Sequence, residues 1–299
     1  MKDCKQIIFI GGPTASGKSA LALEIAQSLG NCAIINADSL QLYADLQILS
    51  ARPLENEFQG VPHYLYGVLS AHHAADAAWW QAQVLTIIDQ LSTHGQRAII
   101  VGGTGLYFTS LIRGLSAMPA IPPDIREHVR AQEKNLAKRE FQEWAYAVDP
   151  LIEGRLSDSQ RLSRALEVKL ATGQSITTFQ GNAKPVIDNF RFITLCPPRE
   201  VLYERINQRF LAMMEAGAIA EVERLQILNL STKAPILKAL GVREITAHLH
   251  GEITLDTAVS LAQQASRNYA KRQITWFRHQ VPQDIVITEI TWDIANFVL

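Results

Sequence analysis

The chain has little cysteine. Cys4, Cys32 and Cys196 are far apart, and no CxxC pair occurs. A disulfide framework and a zinc site legible in the sequence are therefore excluded. Neither sign of charge is in excess, since 28 Lys and Arg face 29 Asp and Glu. Near-neutrality excludes a uniformly basic nucleic-acid binder, but not a local basic surface. Long hydrophobic runs are also missing. The first, Ile7 to Ile10, ends at Gly11-Gly12, which is too short for a secretion signal. No run approaches the roughly 18 apolar residues of a membrane helix. The expectation is a cytoplasmic protein with no membrane partner. His63, His72, His73 and His128 lack metal-ligand spacing and read as structural or surface residues.

What remains is an ordinary globular composition, 47% apolar over 299 residues, enough for about two domains at roughly 100–200 residues each. Short apolar runs alternate with helical patterns in the first third. Ile7–Ile10, Ala33–Asn36 and Ala98–Val101 read as strands, and Ala20–Leu29 and Ala77–Leu91 as helices. Gly30-Asn31 suits a left-handed helix stop. Strands alternating with helices imply an α/β fold with a doubly wound parallel sheet. From about Met118 to Pro185 the rhythm stops. That stretch is helical and charged, with nine Lys/Arg and nine Asp/Glu between Asp124 and Ser175. It reads as a helical insertion domain, 118–185, within a core of 1–117 and 186–299. Phe192–Leu195 reads as a further core strand, with later helices over Glu200–Leu228 and Leu255–Phe277. The Trp79-Trp80 pair reads as core packing.

The strongest motif is Gly12-Pro13-Thr14-Ala15-Ser16-Gly17-Lys18-Ser19, which matches GxxxxGK[ST] between a strand and a helix. Such a loop curls backbone N–H groups around a phosphate at a helix N-terminus. Lys18 adds a cation, and Ser19 offers a hydroxyl to a Mg²⁺ ion. Asp38-Ser39-Leu40-Gln41 follows the second strand, where ligands sit in doubly wound sheets. Asp38 can serve there as metal ligand, general base or simple turn former. The third strand runs into Gly102-Gly103-Thr104 with no carboxylate. That favours a phosphate-bearing substrate over a standard kinase or ATPase, many of which hold Mg²⁺ with an Asp there.

Two further segments carry cations. In Gln160-Arg161-Leu162-Ser163-Arg164, the two arginines share a helix face. They suit either a polyanion and an extruded base, or pairing with Asp158 and Glu167. Gln263–Gln280 holds Arg267, Lys271, Arg272 and Arg278 and no acid. Such a stripe suits a phosphate backbone or a solvated face.

Together these segments resemble the bacterial tRNA dimethylallyltransferase family, also called tRNA isopentenyltransferase. The matching stretches are GPTASGKS at 12–19, ADSLQLY at 37–43, GVPHYL at 60–65, VGGTGLYF at 101–108, QRLSRALEV at 160–168 and YAKRQITWFR at 269–278. The resemblance implies a phosphate-loop core and a helical insertion that closes over tRNA. It also implies transfer of a dimethylallyl group from dimethylallyl diphosphate to N6 of the adenosine just 3′ of the anticodon. Lys18, Ser19 and the loop amides would hold the diphosphate with Mg²⁺, and Arg126 would lie near the diphosphate or the tRNA. Asp38 would take the N6 proton, and Thr104 would contact the reacting nucleotide. Gln160, Arg161, Leu162, Ser163 and Arg164 would hold the flipped-out base. Ser39, Leu40, Gln41, Lys238, Arg243, Arg267, Lys271 and Arg272 would meet the tRNA. A monomer is expected. A prenyltransferase acting on free AMP, a small-molecule kinase and a non-catalytic RNA binder are the alternatives. Two stretches depart from the family pattern. Ala44–Pro53 reads ADLQILSARP where a basic residue and then GMDIGTAKP or similar are usual, losing two glycines and an acid, and Gly241-Val242-Arg243 loses an aromatic.

Overall fold

The computed structural model describes residues 6–181, 183–289 and 292; Cys4 lies outside them. The chain divides into two compact units, Met1–Ile112 with Ile187–Leu299, and Arg113–Val186.

The first unit opens with β1 (Ile7–Gly11), buried at every residue, as a parallel strand covered on both faces should be. Then come α1 (Lys18–Leu29), β2 (Cys32–Asn36), β3 (His63–Tyr64), α2 (Ala77–Thr93), β4 (Arg97–Gly102) and α3 (Gly105–Arg113). Gly30 and Asn31 stop α1 with positive φ, 59° and 46°. The second unit holds α4 (Pro123–Asn135), α5 (Lys138–Val148), α6 (Ser159–Thr172) and the single turn α7 (Ile176–Phe179). The first unit resumes with β5 (Phe190–Leu195), α8 (Arg199–Glu215), α9 (Ala218–Ile227), α10 (Val242–Leu249), α11 (Leu255–Gln280) and β6 (Ile285–Ile287).

Among the described residues the six strands of the sheet are all parallel, in the order β3-β2-β4-β1-β5-β6. Alternation along each strand sorts the core. Phe9, Ile35, Ile100 and Phe192 face one side and pack on Trp80, Phe108 and Phe277 of α2, α3 and α11. Ile8, Ile10, Ile34, Ile99 and Ile193 face the other side and pack on Leu21 and Ile25 of α1. Trp80 is fully buried and Trp79 packs beside it, as core packing requires. A third cluster joins Tyr43, Leu46 and Leu49 to Phe210, Val222 and Ile245 of α8, α9 and α10. The second unit has its own core, with Val129, Phe141, Leu162 and Leu166 at its centre.

The structure differs from the sequence reading in several details, α10 and the 113–186 bounds of the second unit among them. The single helix expected over Glu200–Leu228 is two, because Gly217 takes φ 101° and caps α9 in the left-handed region. Only glycine adopts that conformation at no cost. The two-residue β3 and three-residue β6 escaped notice because neither is long enough to show a period.

Candidate active site

The phosphate loop bridges β1 and α1. Its entry is tight, since a Cβ at Gly12 would overlap the Leu195 carbonyl of β5. Ala15 holds φ 63° and Gly17 φ 97°, so the chain coils into a nest before the helix. Gly17 caps α1 without any side-chain acceptor. The first amides of α1, including those of Lys18 and Ser19, therefore lack an intrahelical partner. Ser16 is fully buried and its Oγ has no hydrogen-bond partner among the described residues. An orphaned hydroxyl inside a curled amide loop suits a phosphate group. Lys18 folds back, and its Nζ donates to Pro13 O at 2.6 Å.

A cavity of about 560 Å³ opens over this loop. Thr14 to Ser19 form one wall and Asp38 and Gln41 another; Ser50, Ala51 and Tyr66 come from the loops after β2 and β3, and Arg205, Gln208 and Arg209 from α8. A narrower space of about 50 Å³ lies beside Asp38 and Thr14, walled by Leu40, Leu49, Ile206, Phe210, Met213 and Leu240 among others.

The Asp38 turn is built from buried Asn36. Asn36 Oδ1 accepts from Asp38 N–H at 2.8 Å, and its Nδ2 donates to Asp38 O and Leu65 O, both at 2.9 Å. Asp38 Oδ1 accepts from Leu40 N–H at 3.0 Å. The simple turn that the sequence allowed is thus present, and it aims the carboxyl into the cavity. Thr104 Oγ1 accepts from Ser39 N–H at 3.0 Å. Thr104 thereby ties the loop after β4 to the Asp38 turn, without itself lining the cavity.

Electrostatics single out the same groups. Burial pushes the Asp38 carboxyl above its ordinary value, opposed by the Leu40 N–H and by Lys18. Burial pushes Lys18 down to about 8, with Asp38 opposing and Arg209 reinforcing. Burial likewise lowers Arg209, against Asp38. One carboxylate and two cations, all desolvated, thus share one cavity, the arrangement typical of functional sites.

Among the contributors that sequence reading missed are a face of α8 and Gln273 of α11. Arg205, Gln208, Arg209 and Ala212 recur at helical spacing on α8, a polar face that the Glu200–Leu228 reading passed over. Gln273 hid within the basic run of α11. It is 5% exposed; its Oε1 accepts from Thr14 N–H at 2.8 Å and its Nε2 donates to Gly103 O at 2.8 Å. One side chain thus joins the phosphate loop to the loop after β4.

The other expected residues fall into three groups. Lys238, Arg243, Lys271 and Arg272 are exposed on the first unit, with Arg243 at the rim of a 470 Å³ cleft floored by Val222, Leu225 and Val242. Arg267 is partly engaged, donating to Asn207 Oδ1 and to Gln264 Oε1. Arg278 faces a separate cavity with Cys196 and Arg199. On the second unit Arg126, Gln160 and Arg161 are exposed. Leu162 and Ser163 point inward, 1% and 0% exposed, so they support α6 rather than present side chains outward. Arg161 pairs with Asp158 at 3.3 Å. Arg164 and Arg130 pair with buried Glu167 at 3.3 and 3.4 Å. The pairing with Asp158 and Glu167 that the sequence left open is therefore present.

A phosphate loop on a parallel sheet of this order defines a P-loop α/β protein with a helical unit set into the chain. Residues 41–280 match the family model described as IPP transferase. The chain is 46% identical over 281 residues to a tRNA dimethylallyltransferase of Rhizobium etli, covering 92% of this chain and 94% of that one. It is 45% identical to a tRNA dimethylallyltransferase of a Wolbachia strain from Drosophila simulans, covering 92% and 93%. Among solved structures it resembles the tRNA isopentenylpyrophosphate transferase of Bacillus halodurans, with a TM-score of 0.71, 29% identity, and 98% and 93% of the two chains covered. A eukaryotic dimethylallyltransferase acting on tRNA shares the fold, with a TM-score of 0.77 at 23% identity over 91% of this chain and 70% of that one. This chain belongs to the IPP transferase family and is a transferase.

Proposed function

We propose that the chain transfers a dimethylallyl group from dimethylallyl diphosphate to N6 of the adenosine just 3′ of the anticodon in tRNA. The observation that carries this reading is the single cavity that holds Asp38, Lys18 and Arg209 over the phosphate loop. The relatives' shared name supplies the substrate class.

In this reaction the allylic C1–O bond breaks and a C1–N6 bond forms. Diphosphate leaves, and N6 loses a proton. The loop amides, Lys18 and Arg209 would neutralise the charge that develops on the diphosphate. Asp38 would accept the N6 proton, and a carboxyl raised by burial is a better base near neutral pH than an ordinary one. Thr104 and Ser39 would hold the reacting nucleotide. The donor set fits Mg²⁺: the exposed Ser19 hydroxyl would bind it together with diphosphate oxygens and water. When bound, the ion would supply further neutralisation of the leaving group.

Lys238, Arg243, Lys271 and Arg272 would meet tRNA phosphates, and Arg267 would join them by releasing Asn207. The helical unit would close over the tRNA, with exposed Gln160 meeting the anticodon loop and Arg161 and Arg164 exchanging their present pairings for it, where an unpaired base is inexpensive to extrude. Arg126 would serve the diphosphate or the tRNA. Among the described residues no helix is long and apolar enough to cross a membrane, and a cytoplasmic monomer fits these roles. The deciding experiment is mass spectrometry of tRNA nucleosides after incubation with enzyme, Mg²⁺ and dimethylallyl diphosphate. N6-dimethylallyladenosine is expected; its absence, or prenylation of free AMP instead of tRNA, overturns the reading.

A further inference from the structure

Glu221 of α9 is 2% exposed. Its carboxylate holds three successive amides of the segment after Tyr43. Oε1 accepts from Gln47 N–H at 2.7 Å and Ile48 N–H at 2.8 Å, and Oε2 accepts from Leu49 N–H at 2.9 Å. Three neighbouring N–H groups pointing inward would otherwise be orphaned, and a carboxylate is the strongest acceptor a protein can offer them.

The same segment is held at its far end from the catalytic turn. Gln41 Nε2 donates to Ser50 O and Ala51 O, each at 3.0 Å. Ala51 takes φ 50°, a conformation that a non-glycine residue keeps only under such constraint. Between the two anchors Leu49 and Ser50 are presented to the narrow space beside Asp38 and Thr14, and Ser50 and Ala51 to the larger cavity. Here the chain reads Gln-Ile-Leu-Ser, and Leu49 forms part of the wall of the narrow space. A leucine in that place makes the apolar wall depend on where the backbone is held.

We infer that Glu221 is a positioning residue for the transfer reaction: by clamping the Gln47–Leu49 amides it sets the Leu49–Ala51 wall against Asp38 and the phosphate loop, and so the fit of the allylic diphosphate. This rests on the reaction proposed above. Glu221 touches no substrate and acts through the wall alone.

The test compares wild type, Glu221→Gln, Glu221→Asp and Leu49→Ala in steady-state assays with tRNA and dimethylallyl diphosphate, after circular dichroism at the assay temperature. A wild type that prenylates no tRNA defeats the proposed function rather than this inference. Glu221→Gln keeps the shape but sets an NH₂ against amide donors. Its KM for dimethylallyl diphosphate is expected to rise about tenfold, on the scale of a small misplacement of a binding wall, with the KM for tRNA within about twofold. Glu221→Asp should recover part of the change, and Leu49→Ala should shift the same constant in the same direction. A folded Glu221→Gln protein with an unchanged KM for dimethylallyl diphosphate overturns the inference, as does a loss of kcat alone in proportion to unfolded protein. If Glu221→Gln does not fold, an unchanged constant in Leu49→Ala overturns it equally.

Discussion

The two units treat their cations in opposite ways. In the α/β unit, Lys18 and Arg209 sit in a shared cavity with Asp38, and burial lowers both below their ordinary values. In the helical unit Arg130 and Arg164 lie on the surface around Glu167, which is 3% exposed, while Arg161 lies beside Asp158. Desolvating a cation is costly and is kept where a bound anion repays it. A surface arginine beside a carboxylate costs little and is as readily structural as functional. Motif ranked the phosphate loop first but left the arginines of the helical unit open between a ligand and the neighbouring carboxylates. Their surroundings separate a cavity of desolvated charges from a set of ion pairs that a ligand would have to displace.

The largest expected effect tests the first half of that contrast. Asp38→Ala should slow prenyl transfer by about a hundredfold or more in single-turnover assays, the scale of losing a general base. Its affinity for tRNA, read by filter binding, should hold. Undiminished turnover would remove the carboxylate from the chemistry and leave the cavity a binding site only. The other half predicts a stability effect. Replacing Arg130 and Arg164 together by Ala should cost about 2–3 kcal/mol by urea denaturation, because Glu167 would stay buried without a counter-charge. Affinity for dimethylallyl diphosphate should not change.

Smaller effects refine the contrast. Gln273→Ala orphans Thr14 N–H and Gly103 O, so a loss of about 1–2 kcal/mol is expected. Scanning calorimetry would read it as a lowered Tm, and an unaltered Tm would mean that the two loops hold each other unaided. Arg161→Ala breaks only an exposed pair, and should weaken tRNA binding by about fivefold or less while leaving stability within about 0.5 kcal/mol. The pH profile tests how the cavity cations behave. Lys18 carries its charge below about 8, so kcat/KM for dimethylallyl diphosphate should fall as pH rises through that value. Bound diphosphate favours the charged lysine, so the limb in kcat should lie higher. On the acid side kcat/KM should fall as pH drops through the pKa of Asp38, which stands above the ordinary 3.8. A profile that stays flat through about pH 8 would detach Lys18 from the reaction.

Much of this was legible beforehand because it is local. A run such as Ile7–Ile10 is apolar at every position, so burial on both faces follows from composition. The loop Gly12–Ser19 is a contiguous motif whose chemistry resides in its own backbone. Asp38 and Thr104 follow strands directly, and a parallel sheet carries such positions to one edge. Other parts could not be read this way. Leu162 and Ser163 belong to a matching segment, but the core of the helical unit claims their side chains. Arg267 belongs to a basic run, but Asn207 of α8 holds it.

What the sequence determined by itself is therefore the class of sheet, the phosphate loop and the carboxylate beside it, since each depends on residues adjacent in the chain. Tertiary structure alone decided which distant groups complete the site. Arg209 reaches Thr14 across 195 residues, Gln273 reaches it across 259, and Glu221 reaches the Gln47 amide across 174. No local pattern encodes such pairings. They exist because packing α11 against the sheet, and α8 and α9 against the segment after β2, buries polar groups that must find partners wherever the fold brings them.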